Sequence, residues 1–249
     1  MRSSRIIMLV EMALAVALAV VFNFLVFFKM PMGGSVTLVM LPIAVVALRR
    51  GALAGAVVGA LYGLIDLLID PYILFPMQVL LDYPLPYLLF GLVAGLFSGF
   101  YRQAAYLGEG AAAARMTATG SAGSNAADTA AGAQPIATPD VANATSAAAG
   151  NVAGNTADSM LSGSARLFSG KILAVVIVAF ILGIAARLVP HVLSGVLFFG
   201  EYAAEAGFSN AWLYSLLYNA GYLLPSGLVC LIAALILLPY LARAVPVRQ

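Results

Sequence analysis

"ILFPMQVLLDYPLPYLLFGLVAGLF", residues 73–97, is apolar for about seven helical turns. Its strongly polar interruptions are Gln78 and Asp82, four apart and therefore on one helix face. Leu and Ala run through it without strand-like alternation, so it reads as helix. The rest of the chain sets the solvent. Of 249 residues, 63% are hydrophobic and only 9% are Asp, Glu, Lys or Arg. Mean hydropathy is +1.03. A soluble domain carries about 25% charged residues. Lipid is the solvent that suits this chain, and each span needs about 20 apolar residues. Beta barrels alternate apolar and polar residues in short strands. Continuous apolar runs leave helices as the spanning form. The expected fold class is all-α, an integral membrane bundle.

Six helices are expected, over residues 6–28, 36–48, 52–69, 77–100, 171–199 and 210–241. Pro71 and Pro76 break the chain before the fourth, and Pro190 interrupts the fifth. The apolar start is too long for a signal peptide and contains Glu11, so it reads as a retained first helix. Residues 101–170 are mostly Ala, Gly, Ser, Thr and Asn. Such a segment lacks the apolar groups to offset its ordering entropy and is expected to be a disordered linker. The whole chain then forms one membrane domain.

Charge tests the arrangement. With a cytoplasmic N-terminus and six alternating spans, Arg2, Arg5, Arg49, Arg50, Arg102, Arg115, Arg166, Lys171, Arg243 and Arg248 fall inside. These are ten of the twelve basic residues. Lys29 falls outside, and Arg187 lies in the fifth span. Both termini and the linker are then cytoplasmic. The Asn-Ala-Thr at 143–145 sits in that linker, away from glycosylation machinery.

Polar groups inside a membrane usually face a cavity. On the fourth helix these are Gln78 and Asp82, with Tyr83 and Tyr87 on the adjacent line. His191, Gly195 and Phe199 repeat at four on the fifth helix. Tyr214, Tyr218 and Tyr222 repeat at four on the sixth, beside Ser215 and Asn219. Together they suit a small, flat, cationic and aromatic ligand. The carboxylate complements its charge, and ring faces attract cations. Histidine and asparagine can bond ring nitrogens, and Gly195 lets a ring approach the backbone. Blander readings stand beside this one. Asp82 can favour a helix start, His191 can be a helix-interface residue, and the tyrosines can form an aromatic belt.

Enzyme chemistry has little footing. A single histidine excludes a histidine-rich metal site. His191 and Ser194 lie three apart, without an evident third member of a triad. The Gly170-Lys171 pair lacks the remaining glycine and the Ser/Thr of a phosphate loop. No basic cluster points to nucleic acid. Cys230 is the one cysteine, so no intrachain disulfide forms. On the first helix, Ala13/Ala17 and Ala15/Ala19 make two pairs of small residues four apart, a surface for a partner helix.

Three stretches carry a family likeness: "KMPMGGSVTLVMLPIAVVALRRG" at 29–51, "YGLIDLLIDPYILFPMQVLLDYPLPYLLFGLVAGLF" at 62–97, and "ARLVPHVLSGVLFFGEYAAEAGFSNAWLYSLLYNAG" at 186–221. They resemble the thiamine-specific substrate-binding (S) component of energy-coupling factor (ECF) transporters, the ThiT family. The resemblance implies a six-helix bundle in a bacterial plasma membrane, with a thiamine pocket near the outer face. It also implies a lid made of the first loop, with Lys29, Gly33, Gly34 and Ser35. By the same resemblance, Asp82 faces the cationic ligand and Tyr83 follows it. His191 and Gly195 match the family's histidine and glycine, and Phe199 replaces a stacking tryptophan. Tyr214 and Asn219 match a polar pair. The implied partners are a transmembrane coupling (T) protein, met by the small face of Ala13, Ala15, Ala17 and Ala19, and two ATPases. ATP is used by those ATPases; no cofactor is implied in this chain. Phe199 in place of tryptophan, and a lid without one, leave a thiamine precursor or analogue as an alternative ligand. The same residues also leave open an S component for another nutrient, or a structural membrane protein.

Overall fold

The computed structural model describes residues 2–30, 33–105 and 170–244. Residues 106–169, most of the expected linker and including the 143–145 motif, lie outside the described residues. So does the end of the chain with Arg248.

Helix α1 spans Arg2–Asn23 and stops five residues before its expected end. The following "FLVFF" is aromatic and β-branched, a composition that favours extended chain. Phe28–Lys29 forms β1, paired antiparallel with β2, Ser35–Val36. The first loop is thus a β-hairpin. Its tip closes through Met30 N–H donating to the Gly34 carbonyl at 2.9 Å. Gly33 and Gly34 take φ of 89° and 79° there, a region open to glycine without strain. Ser226 Oγ then holds the outgoing chain, donating to the Thr37 carbonyl at 2.7 Å.

Helix α2, Met40–Arg50, starts four residues later than expected. Pro42 explains this, since proline is tolerated in a first turn but not further in. Met40, Ile43, Ala44, Ala47 and Leu48 are fully enclosed. At 11 residues α2 is too short to cross a bilayer by itself; with residues 36–39 before it, it carries the chain from the hairpin to Arg49 and Arg50 through the middle of the bundle. Helix α3 spans Ala52–Ile69, as expected.

The expected fourth helix is broken. Pro76–Asp82 forms α4 and Pro84–Leu96 forms α5. Tyr83 between them takes φ −110°, ψ −80°, outside helical values. Pro84 forces this: it lacks an N–H and crowds the residue before it. A turn at Phe97 follows, and residues 98–105 are helical again. Residues 101–105 therefore belong to the bundle rather than to the linker. Tyr101 is buried and donates its hydroxyl to the Leu238 carbonyl at 2.7 Å. Helix α6 runs Gly170–Phe198 through Pro190, and a short α7, Gly200–Glu205, occupies the expected connection. Helix α8, Ala211–Ala244, ends three residues beyond expectation.

Among the described residues, five segments are long and apolar enough to cross a membrane: 5–23, 52–69, 76–96, 170–198 and 211–241. With α2 they form the bundle. Large side chains such as Leu14, Leu68, Leu197 and Leu228 cover its outside, facing lipid.

Two packing features go beyond what the sequence pattern suggests. Gly55, Gly59 and Gly63 of α3 lie against α5, where a Cβ on Gly59 would run into the Tyr87 carbonyl. A Cβ on Gly91 would likewise meet the backbone of Gly55. Small residues four apart allow this backbone contact in lipid. The second feature corrects the small-residue face of α1. Ala15 and Ala19 turn inward with Met12 and are buried in the core. Ala13 and Ala17 point outward. Four alternating residues cannot share one face of a 3.6-residue turn.

The two ends of the bundle differ. At one end Glu11 accepts from Arg49 Nε at 3.1 Å and from Arg50 Nε at 2.6 Å. Arg49 also donates to the Leu241 carbonyl at 2.8 Å, tying α1, α2 and α8 together. The hairpin and a large cavity lie at the other end.

Candidate ligand-binding cavity

The cavity holds about 320 Å³ and is walled by the hairpin, the 70–72 turn and helices α3 to α6 and α8. All eight residues singled out for ligand contact reach its wall: Gln78, Asp82, Tyr83, His191, Gly195, Phe199, Tyr214 and Asn219. The hairpin residues Lys29, Gly33, Gly34 and Ser35 cover it. The α4–α5 break places Asp82 at the last turn of α4, facing α6, rather than at a helix start. Its Oδ2 accepts from Ser194 Oγ at 2.8 Å, and its Oδ1 lies 3.4 Å from His191 Nδ1. Both carboxylate oxygens are thus directed by α6.

His191 is buried and its Nε2 has no partner. With Nδ1–H turned to Asp82, Nε2 is left as an acceptor. Its main-chain carbonyl accepts from Asn219 Nδ2 at 3.3 Å, and Asn219 Oδ1 accepts from the Tyr222 hydroxyl at 2.9 Å. Asn219 therefore joins α6 to α8 as well as facing the cavity. Gly195 serves the same junction. A Cβ there would collide with Ser215 Oγ, which donates to the Val192 carbonyl at 2.9 Å. The space left by glycine admits a neighbouring helix, and Gly195 also lines the cavity, where the sequence suggests a ligand ring.

Gln78 and Tyr83 act on the loop before α4. Gln78 Oε1 accepts from Leu74 N at 2.9 Å and Phe75 N at 3.3 Å. Its Nε2 donates to the Tyr72 carbonyl at 2.8 Å. The Tyr83 hydroxyl accepts from Tyr72 N at 2.6 Å and donates to the Asp70 carbonyl at 2.9 Å. Both side chains hold residues 70–75 against the cavity. Tyr72 in turn stacks on Phe199, ring centres 6.1 Å apart and planes 18° apart. Partial desolvation, then a hydrogen bond with Tyr202, raises the pKa of the Tyr72 phenol.

The hairpin is tethered over the opening. Tyr218 donates its hydroxyl to the Gly33 carbonyl at 2.8 Å. Gly34 lies so close to the Tyr222 ring that a Cβ would overlap it. Lys29 Nζ pairs with Asp70 Oδ2 at 2.5 Å, in the open. Tyr214 sits at the rim between Phe208 and Tyr218, ring centres 5.5 and 6.1 Å away.

Several wall residues escape sequence reasoning. Asp66, at the end of α3, accepts from Asn23 Nδ2 at 2.9 Å and from the Tyr62 hydroxyl at 3.1 Å. Arg187 extends the line of His191, Gly195 and Phe199 by one turn, whereas topology alone places Asn23, Asp66 and Asp70 beside the pocket residues of the other helices. A carboxylate in the last turn of an apolar span is the available signal. The geometry also argues against a Ser194 nucleophile. That hydroxyl is fully buried and bonds Asp82, not His191. Among the described residues no three His, Cys, Asp or Glu side chains gather as a metal site.

A pocket with an oriented carboxylate, an acceptor imidazole nitrogen, an amide and several ring faces suits a cationic heteroaromatic ligand. Comparison with known proteins bears on which one. A family model described as thiamine transporter protein (Thia_YuaJ) matches residues 9–245. The thiamine transporter ThiT of Bacillus subtilis is 28% identical over 239 residues, covering 95% of this chain and 92% of that protein. A solved structure of ThiT from Listeria monocytogenes superposes with a TM-score of 0.62 at 26% identity, covering 95% of each chain.

Proposed function

The chain belongs to the thiamine transporter protein family, and from that premise we propose that it is the thiamine-capturing subunit of an ECF-type uptake system. The family is one of membrane transporters, not enzymes, and five apolar spans fit a multi-pass protein of the bacterial plasma membrane.

The observation that carries the ligand is the pairing of Asp82 with His191 and Ser194 on the cavity wall. The thiazolium cation of thiamine lies against Asp82. Its aminopyrimidine uses the free His191 Nε2 and the Asn219 side chain, and its rings lie among Phe199, Tyr214 and Tyr222. Gln78 and Tyr83 work through the 70–75 loop. The hairpin closes over the occupied cavity and shields the charge pair from water, which strengthens it.

The basic cluster of Arg49 and Arg50 supports placing its end of the bundle in the cytoplasm, with the cavity facing out. The chain has no nucleotide loop of its own, so inward release needs energy from elsewhere. A T protein and two ATPases supply it, and the T protein meets the outward face of α1 at Ala13 and Ala17.

Calorimetric titration of the purified full chain with thiamine tests this reading. Riboflavin, biotin and the pyrimidine half of thiamine serve as competitors. One thiamine per chain, displaced poorly by the others, is expected. Preference for another vitamin refutes thiamine as ligand, and no heat with any of them refutes a binding role.

A further inference from the structure

One carboxylate of the cavity wall is left over once Asp82 takes the ligand's charge. Asp66 is half-buried in the last turn of α3. Among the described residues it forms no ion pair within 4.0 Å; the carboxylates that do are Glu11, Asp70 and Asp82. It is spent on hydrogen bonds instead. Oδ1 accepts from Asn23 Nδ2 at 2.9 Å and from the Tyr62 hydroxyl at 3.1 Å, and Oδ2 accepts from the Tyr87 hydroxyl at 3.4 Å. Tyr62 and Tyr87 are buried and meet edge-on, ring centres 4.6 Å apart. A carboxylate in a membrane span is costly. The seam of α3 with α5 does not require it, since glycines already bring the two backbones together. What the carboxylate adds is reach to Asn23, on α1.

Asn23 is the last residue of α1, and the incoming arm of the hairpin begins after it. Phe24, Leu25, Val26, Phe27 and Phe28 are all exposed, so burial within the protein does little to hold that arm. After the turn that ends α1, its main-chain bonds lead to the outgoing arm, as where Phe27 N–H donates to the Val36 carbonyl at 3.0 Å. Two side-chain bonds tie it to the end of α3: Asn23 to Asp66, and Lys29 to Asp70 at 2.5 Å. Lys29 and Asp70 are exposed, and an exposed pair holds weakly. An amide donating to a half-buried carboxylate holds more firmly. The outgoing arm is fastened on the opposite side, to Ser226 and Tyr218 of α8. The hairpin therefore spans the cavity mouth from α3 to α8, with Asp66 as its abutment on α3.

We infer that Asp66 is a positioning residue for ligand retention: through Asn23 it fixes the base of the hairpin's incoming arm, and so sets how long the closed hairpin keeps its ligand. This deepens the reading of the cavity as a thiamine site and rests on it. Asp66 acts through Asn23 and leaves the ligand's charge to Asp82. Its Oδ2, bonded to Tyr87 of α5, steadies the carboxylate so that Oδ1 stays turned to α1. Loss of the Asn23 bond frees an arm that has little else to hold it, while the binding groups of α4, α6 and α8 stay in place. Release therefore changes more than capture.

The experiment measures thiamine association and release by stopped flow on the full chain, in wild type, Asn23→Ala, Asp66→Ala, the double variant and Lys29→Ala. A hydrogen bond to a charged group predicts release about tenfold faster or more in Asn23→Ala and in Asp66→Ala, with association within about twofold of wild type. Because both act through one bond, the double variant releases no more than about twofold faster than the faster single one. Lys29→Ala, which loses the exposed pair, has the smaller effect. A release rate unchanged in Asn23→Ala overturns the inference, and this variant keeps the carboxylate and its tyrosine bonds should Asp66→Ala fail to fold. Single effects that multiply in the double variant also overturn it, as does a larger effect from Lys29→Ala than from Asn23→Ala. A loss of affinity carried by slower association overturns it too, since that marks general damage to the cavity. No thiamine binding by wild type overturns the underlying reading as well, and so is told apart from failure of the inference alone.

Discussion

Replacing Asp82 with asparagine removes one charge and almost no volume. The carboxylate is only 20% exposed, and both its oxygens are engaged by α6. The amide oxygen of the Asp82→Asn variant can still accept from Ser194, so the fold of the cavity wall persists. What is lost is attraction for the ligand cation. Two unit charges 4 Å apart interact by about 4 kcal/mol at an effective dielectric of about 20. Part of this is offset, because the wild-type carboxylate gives up solvation when the ligand closes the site. A net loss of about 1.5–3 kcal/mol follows, as for hydrogen bonds to charged groups. That is about a tenfold to hundredfold weaker dissociation constant. Calorimetry of wild type and variant at low and high salt provides the measurement. The loss is expected to persist at high salt, since an enclosed pair is poorly screened. An uncharged isostere of thiamine should narrow the gap between the two proteins. Affinity within twofold of wild type, with the variant folded, refutes the placement of the cation at Asp82.

Tyr218→Phe removes the hydroxyl that holds the Gly33 carbonyl. Ligand release measured by stopped flow should accelerate by about threefold to tenfold, with association little changed; an unaltered release rate would show that the tether is idle. Gln78→Ala leaves two backbone N–H groups and one carbonyl unpaired around residues 72–75. Stability should fall by about 1–3 kcal/mol, with faster proteolysis in that loop; resistance equal to wild type would contradict the bracing role. Gly59→Leu drives a side chain into the α5 backbone at Tyr87. A loss of about 3 kcal/mol or more, read as a lower melting temperature in detergent, is expected; a neutral melting temperature would mean that α3 and α5 do not touch in membranes. Ala17→Leu, on the outward face of α1, should leave thiamine affinity unchanged and prevent co-purification with a T protein. Intact assembly would remove that face from the interface.

The spans were legible because lipid demands apolar length, and length is visible residue by residue. The cavity residues were legible for the complementary reason. Asp82, His191 and Asn219 stand out against a background that has no other use for them. Irregular backbone was harder to read. The break at Tyr83 depends on Pro84, but a tandem of prolines at 84 and 86 also fits a helix start, and periodicity cannot choose. The hairpin rests on two-residue strands, too short to show alternation. The inward turn of Ala15 and Ala19 depends on which side of α1 meets α2 and α3, a tertiary fact. Gln78 and Gly195 line the cavity and also hold neighbouring elements, a second role that the sequence does not mark. A polar or small residue near a pocket can face the ligand or a neighbouring element, and spacing is the same for both.

The contact of α3 with α5, backbone on backbone, divides the molecule into unequal mechanical halves. Where glycines remove the side-chain cushion, two helices slide or separate only by breaking the whole seam, so this pair behaves as a stiff keel. The other side is made of α6 and α8, whose interiors carry Pro190, Pro225 and Pro239 and the missing backbone bonds that come with them. Flexing as a vitamin enters should therefore gather on the proline-bearing side. The molecule would keep its shape along the keel.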